Sequence, residues 1–169
     1  MTGGLTAAGI IRSFGRNRVL RSVDANFQPG AVHTLVGPNG SGKTTLLRVL
    51  CGLLGFERGT LGFGNLEVGS HESIPWDTRK GIAYMGHASF AYPQLSGKEN
   101  LNLAAQLYGV SLDRVSEALD RYQLEHAADR TVGSYSRGMT QRVALARVWV
   151  QNADILLLDE PSTGLDANT

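Results

Sequence analysis

Gly37-Pro38-Asn39-Gly40-Ser41-Gly42-Lys43-Thr44, followed by Thr45, fits the phosphate-loop pattern G-x-x-x-x-G-K-[ST] at every position. The preceding run, Ala31-Val32-His33-Thr34-Leu35-Val36, reads as a buried strand, and the following run, Thr45-Leu46-Leu47-Arg48-Val49-Leu50, as a helix with one apolar face. In a strand–loop–helix context the three glycines let the backbone curl so that successive N–H groups point inward at phosphate oxygens. The helix N-terminus adds partial positive charge. Lys43 supplies a mobile cation for the β- and γ-phosphates, and the Thr44 hydroxyl is suited to Mg²⁺. The loop predicts nucleoside triphosphate binding.

Composition narrows the rest. A chain of 169 residues supports one domain with a substantial core. Sixteen basic and 15 acidic side chains give a net charge of +1, which offers no electrostatic argument for nucleic acid or a membrane surface. Cys51, the single cysteine, falls on the apolar side of the loop helix and reads as a packed thiol in a reducing compartment. No run is long and apolar enough to span a bilayer, and no signal-peptide pattern opens the chain. A soluble, cytoplasmic domain is expected.

Upstream of the loop, residues 5–12 and 19–27 carry β-type runs joined by the polar glycine turn Phe14-Gly15-Arg16-Asn17-Arg18. Phe14 is either a stray hydrophobe or a stacking platform for adenine, and spacing alone leaves both open. Downstream, residues 58–64 read as a strand and turn, residues 65–80 as an irregular surface connection, and residues 81–86 as a second buried strand ending at His87. Ser96-Gly97-Lys98-Glu99 is a capping box, opening a helix that Gly109 ends. Ser111 opens another helix with Val115, Ala118, Leu119 and Tyr122 inward. Residues 95–130 thus form a small helical layer.

Two further clusters carry chemistry. Ser136 stands where a helix N-cap belongs, and Gly138 leaves the first turn bare, so the run Tyr135 to Arg147 is an ordinary capped helix or an anion site. Ile155-Leu156-Leu157-Leu158-Asp159-Glu160 describes a central parallel strand with two acids at its C-terminal edge, where ligands sit in open α/β sheets. Beside a phosphate loop, Asp159 is expected to hold Mg²⁺ through water and Glu160 to act as general base on the attacking water.

Together the clusters resemble the nucleotide-binding domain of ABC transporters, over essentially the whole chain. Gly37 to Thr44 matches that family's Walker A loop and Ile155 to Glu160 its Walker B strand and catalytic glutamate. Ser136 and Gly138 match the signature motif, Thr163-Gly164-Leu165-Asp166 the D-loop, and Phe14 the aromatic A-loop position. The resemblance implies a P-loop NTPase core sheet with an N-terminal antiparallel β subdomain and a small α-helical subdomain. It divides the chain into core residues 1–86 plus 150–169 and helical residues 87–149. It also implies ATP and Mg²⁺, a second ATP-binding domain, and a transmembrane permease that holds the protein at the cytoplasmic face of the membrane. Ser136 and Gly138 then serve a γ-phosphate bound in another copy.

Within the family, Tyr84-Met85-Gly86-His87, Glu99-Asn100-Leu101 and Gln141 to Val150 resemble the ATP-binding subunit of the haem exporter of cytochrome c maturation. Another exporter, for drug, lipid or polysaccharide, and a soluble ABC ATPase are the alternatives. His87 stands where glutamine is usual. The resemblance implies that it contacts Mg²⁺ or water and relays nucleotide state in place of that glutamine; the alternative is an ordinary loop histidine. The chain departs from the family at Arg137, where glycine is common, at Met139, where glutamine is common, and at Thr163, where serine is usual. Arg137 either crowds the phosphate or pairs with it. The chain stops at Thr169, ahead of the strand with the switch histidine, so a C-terminally incomplete domain with an uncovered sheet edge is expected.

Overall fold

The computed structural model describes residues 4–86 and 89–160. It is a mixed α/β structure that divides into two compact units, Met1–Ile82 and Ala83–Thr169.

In the first unit, β1 (Leu5–Phe14) and β2 (Asn17–Phe27) form the expected hairpin, turning at Gly15 and Arg16. β3 (Arg58–Phe63) pairs with the other edge of β1, and β4 (Leu66–Gly69) with β3. The result is a four-stranded antiparallel sheet in the order β2-β1-β3-β4. Leu5, Ala7 and Ile10 of β1 and Leu61 and Phe63 of β3 bury their side chains, which puts an apolar core on the sheet. Helix α1 (Lys43–Leu50) buries Leu46, Leu47, Val49 and Leu50, the apolar stripe read from sequence. Cys51 caps its C-terminus and is buried, as expected of a packed thiol.

Three expectations are corrected. Residues 31–36 are not a strand, and Val32 and Val36 are 98% and 90% exposed. A strand persists through a ladder of backbone bonds to a neighbour, and none of the described strands pairs with this run. Residues 65–80 are not wholly irregular: they hold β4 and a single helical turn, α2 (Trp76–Arg79), which starts after Pro75. The strand β6 (Ile155–Leu158) is not central among the described residues. It pairs with β5 (Ile82–Met85) alone, buries only Leu157, and leaves Leu156 exposed.

The second unit is mostly helical. Ser96 caps α3 (Gly97–Tyr108) through the predicted box: Glu99 N donates to Ser96 Oγ (3.1 Å) and Ser96 N to Glu99 Oε2 (2.7 Å). Those bonds to Ser96 hold the Glu99 carboxyl below its ordinary pKa. Helix α4 (Asp113–Arg121) begins two residues after Ser111, whose hydroxyl accepts from Asp113 N (3.3 Å). Helix α5 (Arg137–Gln151) runs behind both. Leu101, Ala105, Val115, Ala118, Val143 and Val150 form the centre of their shared core. Arg114 fastens α4 to α5, its guanidinium 4.1 Å from the Trp149 ring centroid and donating to Trp149 O (2.9 Å).

Candidate nucleotide site

In the first unit, the loop ahead of α1 has the curled backbone that its glycines predict. Gly40 and Gly42 adopt φ of 78° and 97°, a left-handed region that suits glycine. A Cβ on Gly42 would lie 3.1 Å from both Leu20 Cδ2 and Val19 Cγ1, so the absence of a side chain also lets the helix start settle on β2. Ser41 N donates to Pro38 O (3.2 Å), closing the turn. No side chain caps α1, and its first turn holds no acidic residue, so the positive end of the helix faces the loop uncompensated.

Lys43 folds back over this turn, with Nζ donating to Gly37 O (2.7 Å) and Pro38 O (3.0 Å). These are two neutral acceptors for one cation, an arrangement that an anionic phosphate oxygen would displace. Thr44 and Thr45 follow in the first helical turn, both half-buried, while Pro38, Asn39 and Ser41 are exposed. Phe14 ends β1 opposite Asn17, 49% exposed, on the hairpin whose second strand carries Val19 and Leu20. The fold therefore brings the aromatic and the phosphate loop to one end of the first unit.

In the second unit, Asp159 is buried at the end of β6. Its N–H donates to Met85 O (2.8 Å) and its Oδ2 accepts from Tyr84 OH (3.3 Å). Glu160 is exposed, with a φ of 53° that is uncommon for a side chain of its kind. It lines a cleft of about 300 Å³ with Gly86, Ser89, Tyr135, Arg137, Thr140 and Gln141. The carboxylate that the sequence reading makes a general base and the start of α5 thus line one cavity.

Ser136 caps α5, its Oγ accepting from Met139 N (3.3 Å), which leaves the hydroxyl proton to donate elsewhere. Gly138 is half-buried behind it. Met139, where the family usually has glutamine, is buried in the helical core. One wall of the cleft is held from α5 by Arg147, whose Nη1 donates to Ser89 O (3.1 Å). Burial makes that guanidinium less basic than an exposed one.

His87 and the run Thr163 to Asp166 lie outside the described residues. Among the described residues no three His, Cys, Asp or Glu side chains converge as a metal site. A magnesium ion held by phosphate oxygens, one hydroxyl and a water-bridged carboxylate needs no such cluster. Tyr84 is the partner that sequence reasoning missed. Its signal was a lone hydroxyl within the apolar run 82–85, and only the fold supplies the acid 75 positions away.

Comparison with known proteins identifies the family. Residues 20–163 match the family described as ABC transporter. A cytochrome c biogenesis ATP-binding export protein of Cupriavidus necator is 39% identical over 97% of the chain, which spans 72% of that relative. A daunorubicin resistance ATP-binding protein of Streptomyces coeruleorubidus and a maltose/maltodextrin import ATP-binding protein of Yersinia pestis are each 34% identical, and the chain spans 52% and 44% of their lengths. Among solved structures, an ATP-binding cassette in a dimeric post-hydrolysis state with ADP and Pi superposes with a TM-score of 0.84 at 25% identity, covering 97% of this chain and 77% of that one. The chain belongs to the ABC transporter family, as one of its ATP-binding ATPase domains.

Proposed function

We propose that this chain binds Mg²⁺-ATP and hydrolyses it as the ATP-binding subunit of an exporter, with haem for cytochrome c maturation as the cargo. The observation that carries ATP binding is the preshaped loop: two left-handed glycines, an uncapped helix start and Lys43 poised over the turn. Gly37, Pro38, Asn39, Gly40, Ser41, Gly42, Lys43, Thr44 and Thr45 enclose the phosphates, and Phe14 stacks on the adenine. Thr44 and Asp159 would hold Mg²⁺, which neutralises charge between the β- and γ-phosphates when bound. Tyr84 orients the Asp159 carboxylate from behind.

Glu160, reaching into the cleft, takes the proton from the attacking water. His87 contacts the metal or that water and relays nucleotide state towards the permease. Ser136 and Gly138 serve the γ-phosphate of a second ATP-binding domain, for which the dimeric structural relative is the support. Core residues 1–86 plus 150–169 carry the nucleotide and helical residues 87–149 meet the permease, at the cytoplasmic face of the membrane.

Haem export rests on the biogenesis relative, whose match is at 39% identity. A transporter for another cargo is the second reading, because relatives at 34% identity include both a drug-resistance and a maltose-import protein. Two measurements test the proposal. Calorimetric titration should show Mg²⁺-ATP binding that Lys43→Ala abolishes, and ordinary affinity in that variant would contradict the loop's role. Expression in a bacterium lacking its cytochrome c biogenesis ATP-binding export protein should restore holocytochrome c, and failure with the permease present would remove haem as cargo.

A further inference from the structure

Two side chains that the nucleotide chemistry leaves unassigned meet the end of β1, one at Ser13 and one at the Phe14 ring. On one side, Glu57 grips Ser13 with both carboxylate oxygens: Ser13 N donates to Oε1 (2.8 Å) and Ser13 Oγ to Oε2 (3.2 Å). Glu57 is itself fixed to β1, its N–H donating to Ile11 O (2.8 Å). On the other side, the Arg12 guanidinium lies 5.0 Å from the Phe14 ring centroid. Arg12 and Phe14 are two residues apart on the strand, and so share a face, with Ser13 directed to the opposite one.

Arg12 Nε is buried and has no hydrogen-bond partner among the described residues. The Phe14 ring is the contact that the structure gives this guanidinium. A β-bulge opposite Arg12 and Ser13, where Arg12 pairs with Leu20 and Ser13 with Arg18, sets Val19 out of the ladder and against Gly42 of the phosphate loop. Clasp, stack and bulge together fix the ring relative to the loop and cover one of its faces with a cation, while the side chain stays half exposed.

We propose that Arg12 and Glu57 are positioning residues that present the free face of Phe14 to the nucleobase. The proposal rests on the reading that Phe14 stacks on the base. The experiment measures the affinity of the chain for Mg²⁺-ATP and for Mg²⁺-tripolyphosphate, which has the phosphates and lacks the base. Phe14→Ala is the reference, and Arg12→Met, Glu57→Ala and the milder Glu57→Gln are the tests. Arg12→Met and Glu57→Ala should weaken ATP roughly fivefold or more, the lower end of what a base–aromatic stack contributes, and leave tripolyphosphate unchanged. Arg12→Lys should recover part of the loss, because an ammonium still meets the ring. If Phe14→Ala leaves ATP affinity intact, the stacking reading itself fails. If Phe14→Ala loses affinity and the Arg12 and Glu57 variants do not, only the positioning role fails. Equal loss of both ligands, in Glu57→Gln as well, would make these residues general supports of the fold and overturn the proposal.

Discussion

Glu160 combines an exposed carboxylate with a left-handed backbone, and for a residue other than glycine that conformation costs about 1–3 kcal/mol. Such strain at the end of β6 sets its carboxylate in the cleft that the start of α5 also lines, where a base can meet a water molecule. Glu160→Gln keeps the shape and removes the proton acceptor. It should lower kcat by about 10²–10⁴-fold with ATP affinity retained, read by phosphate release beside equilibrium binding. Turnover at the parent rate would take Glu160 out of the reaction. Cys51 titrates in a different setting. Burial pushes its thiol up, and its Sγ donates to Arg48 O (3.4 Å). The unfolded chain then loses this proton before the folded one, so the thiol's share of stability is complete below the ordinary thiol pKa of about 8.5 and fades as pH climbs through the higher folded value. Iodoacetamide at pH 8 should modify Cys51 slowly in the native protein and quickly in urea. Equal rates would contradict the burial.

At the scale of elements, α3 is set by its first turn. The Ser96 hydroxyl and Glu99 carboxylate satisfy each other's backbone N–H groups, and the Ser96 side chain is buried beside the helical core. Ser96→Ala should cost about 1 kcal/mol, seen as a lower urea midpoint without a change in slope. An unchanged midpoint would mean that the box adds nothing to this helix. The same element shows why parts of the fold were legible. The capping box, the Ser136 cap and the β1–β2 turn each put signal and structure within a few residues, so local chemistry decides them. β4 carried a signal too, since Gly64-Asn65 is a hairpin-type turn and Phe63 pairs with Leu66, but the polar run after it obscured the strand. The run 31–36 failed for another reason: its apolar pattern suits a strand, yet a ladder depends on a remote partner. In the site, the phosphate loop and the paired acids were readable as short motifs. The bond from Tyr84 to Asp159 and the burial of Met139 depend on packing and were not.

At the scale of the whole molecule, the residues assigned to the nucleotide are distributed over two compact units. Phe14 and the loop through Thr45 lie in the first, and Asp159, Glu160 and the start of α5 lie in the second. A ligand that meets only the loop stabilises the first unit, whereas a ligand that meets both sets links their unfolding. ATP at about a hundred times its Kd stabilises the state that binds it by about 2.7 kcal/mol, enough to raise a thermal midpoint by several degrees. Hydrogen exchange distinguishes the two cases residue by residue, because amides are protected where local opening becomes less frequent. With Mg²⁺-ATP, protection should rise over residues 37–45 and also over residues 155–160, and Lys43→Ala should remove both gains together. Protection confined to residues 37–45 would show that the nucleotide engages the loop without recruiting the acids, and Asp159 and Glu160 would then lose the roles proposed for them. The exposed run 31–36 supplies an internal contrast. Its backbone joins no ladder among the described residues, so its amides should exchange quickly without nucleotide. Slow exchange over these residues without nucleotide would require a hydrogen-bonded strand that the described residues do not show.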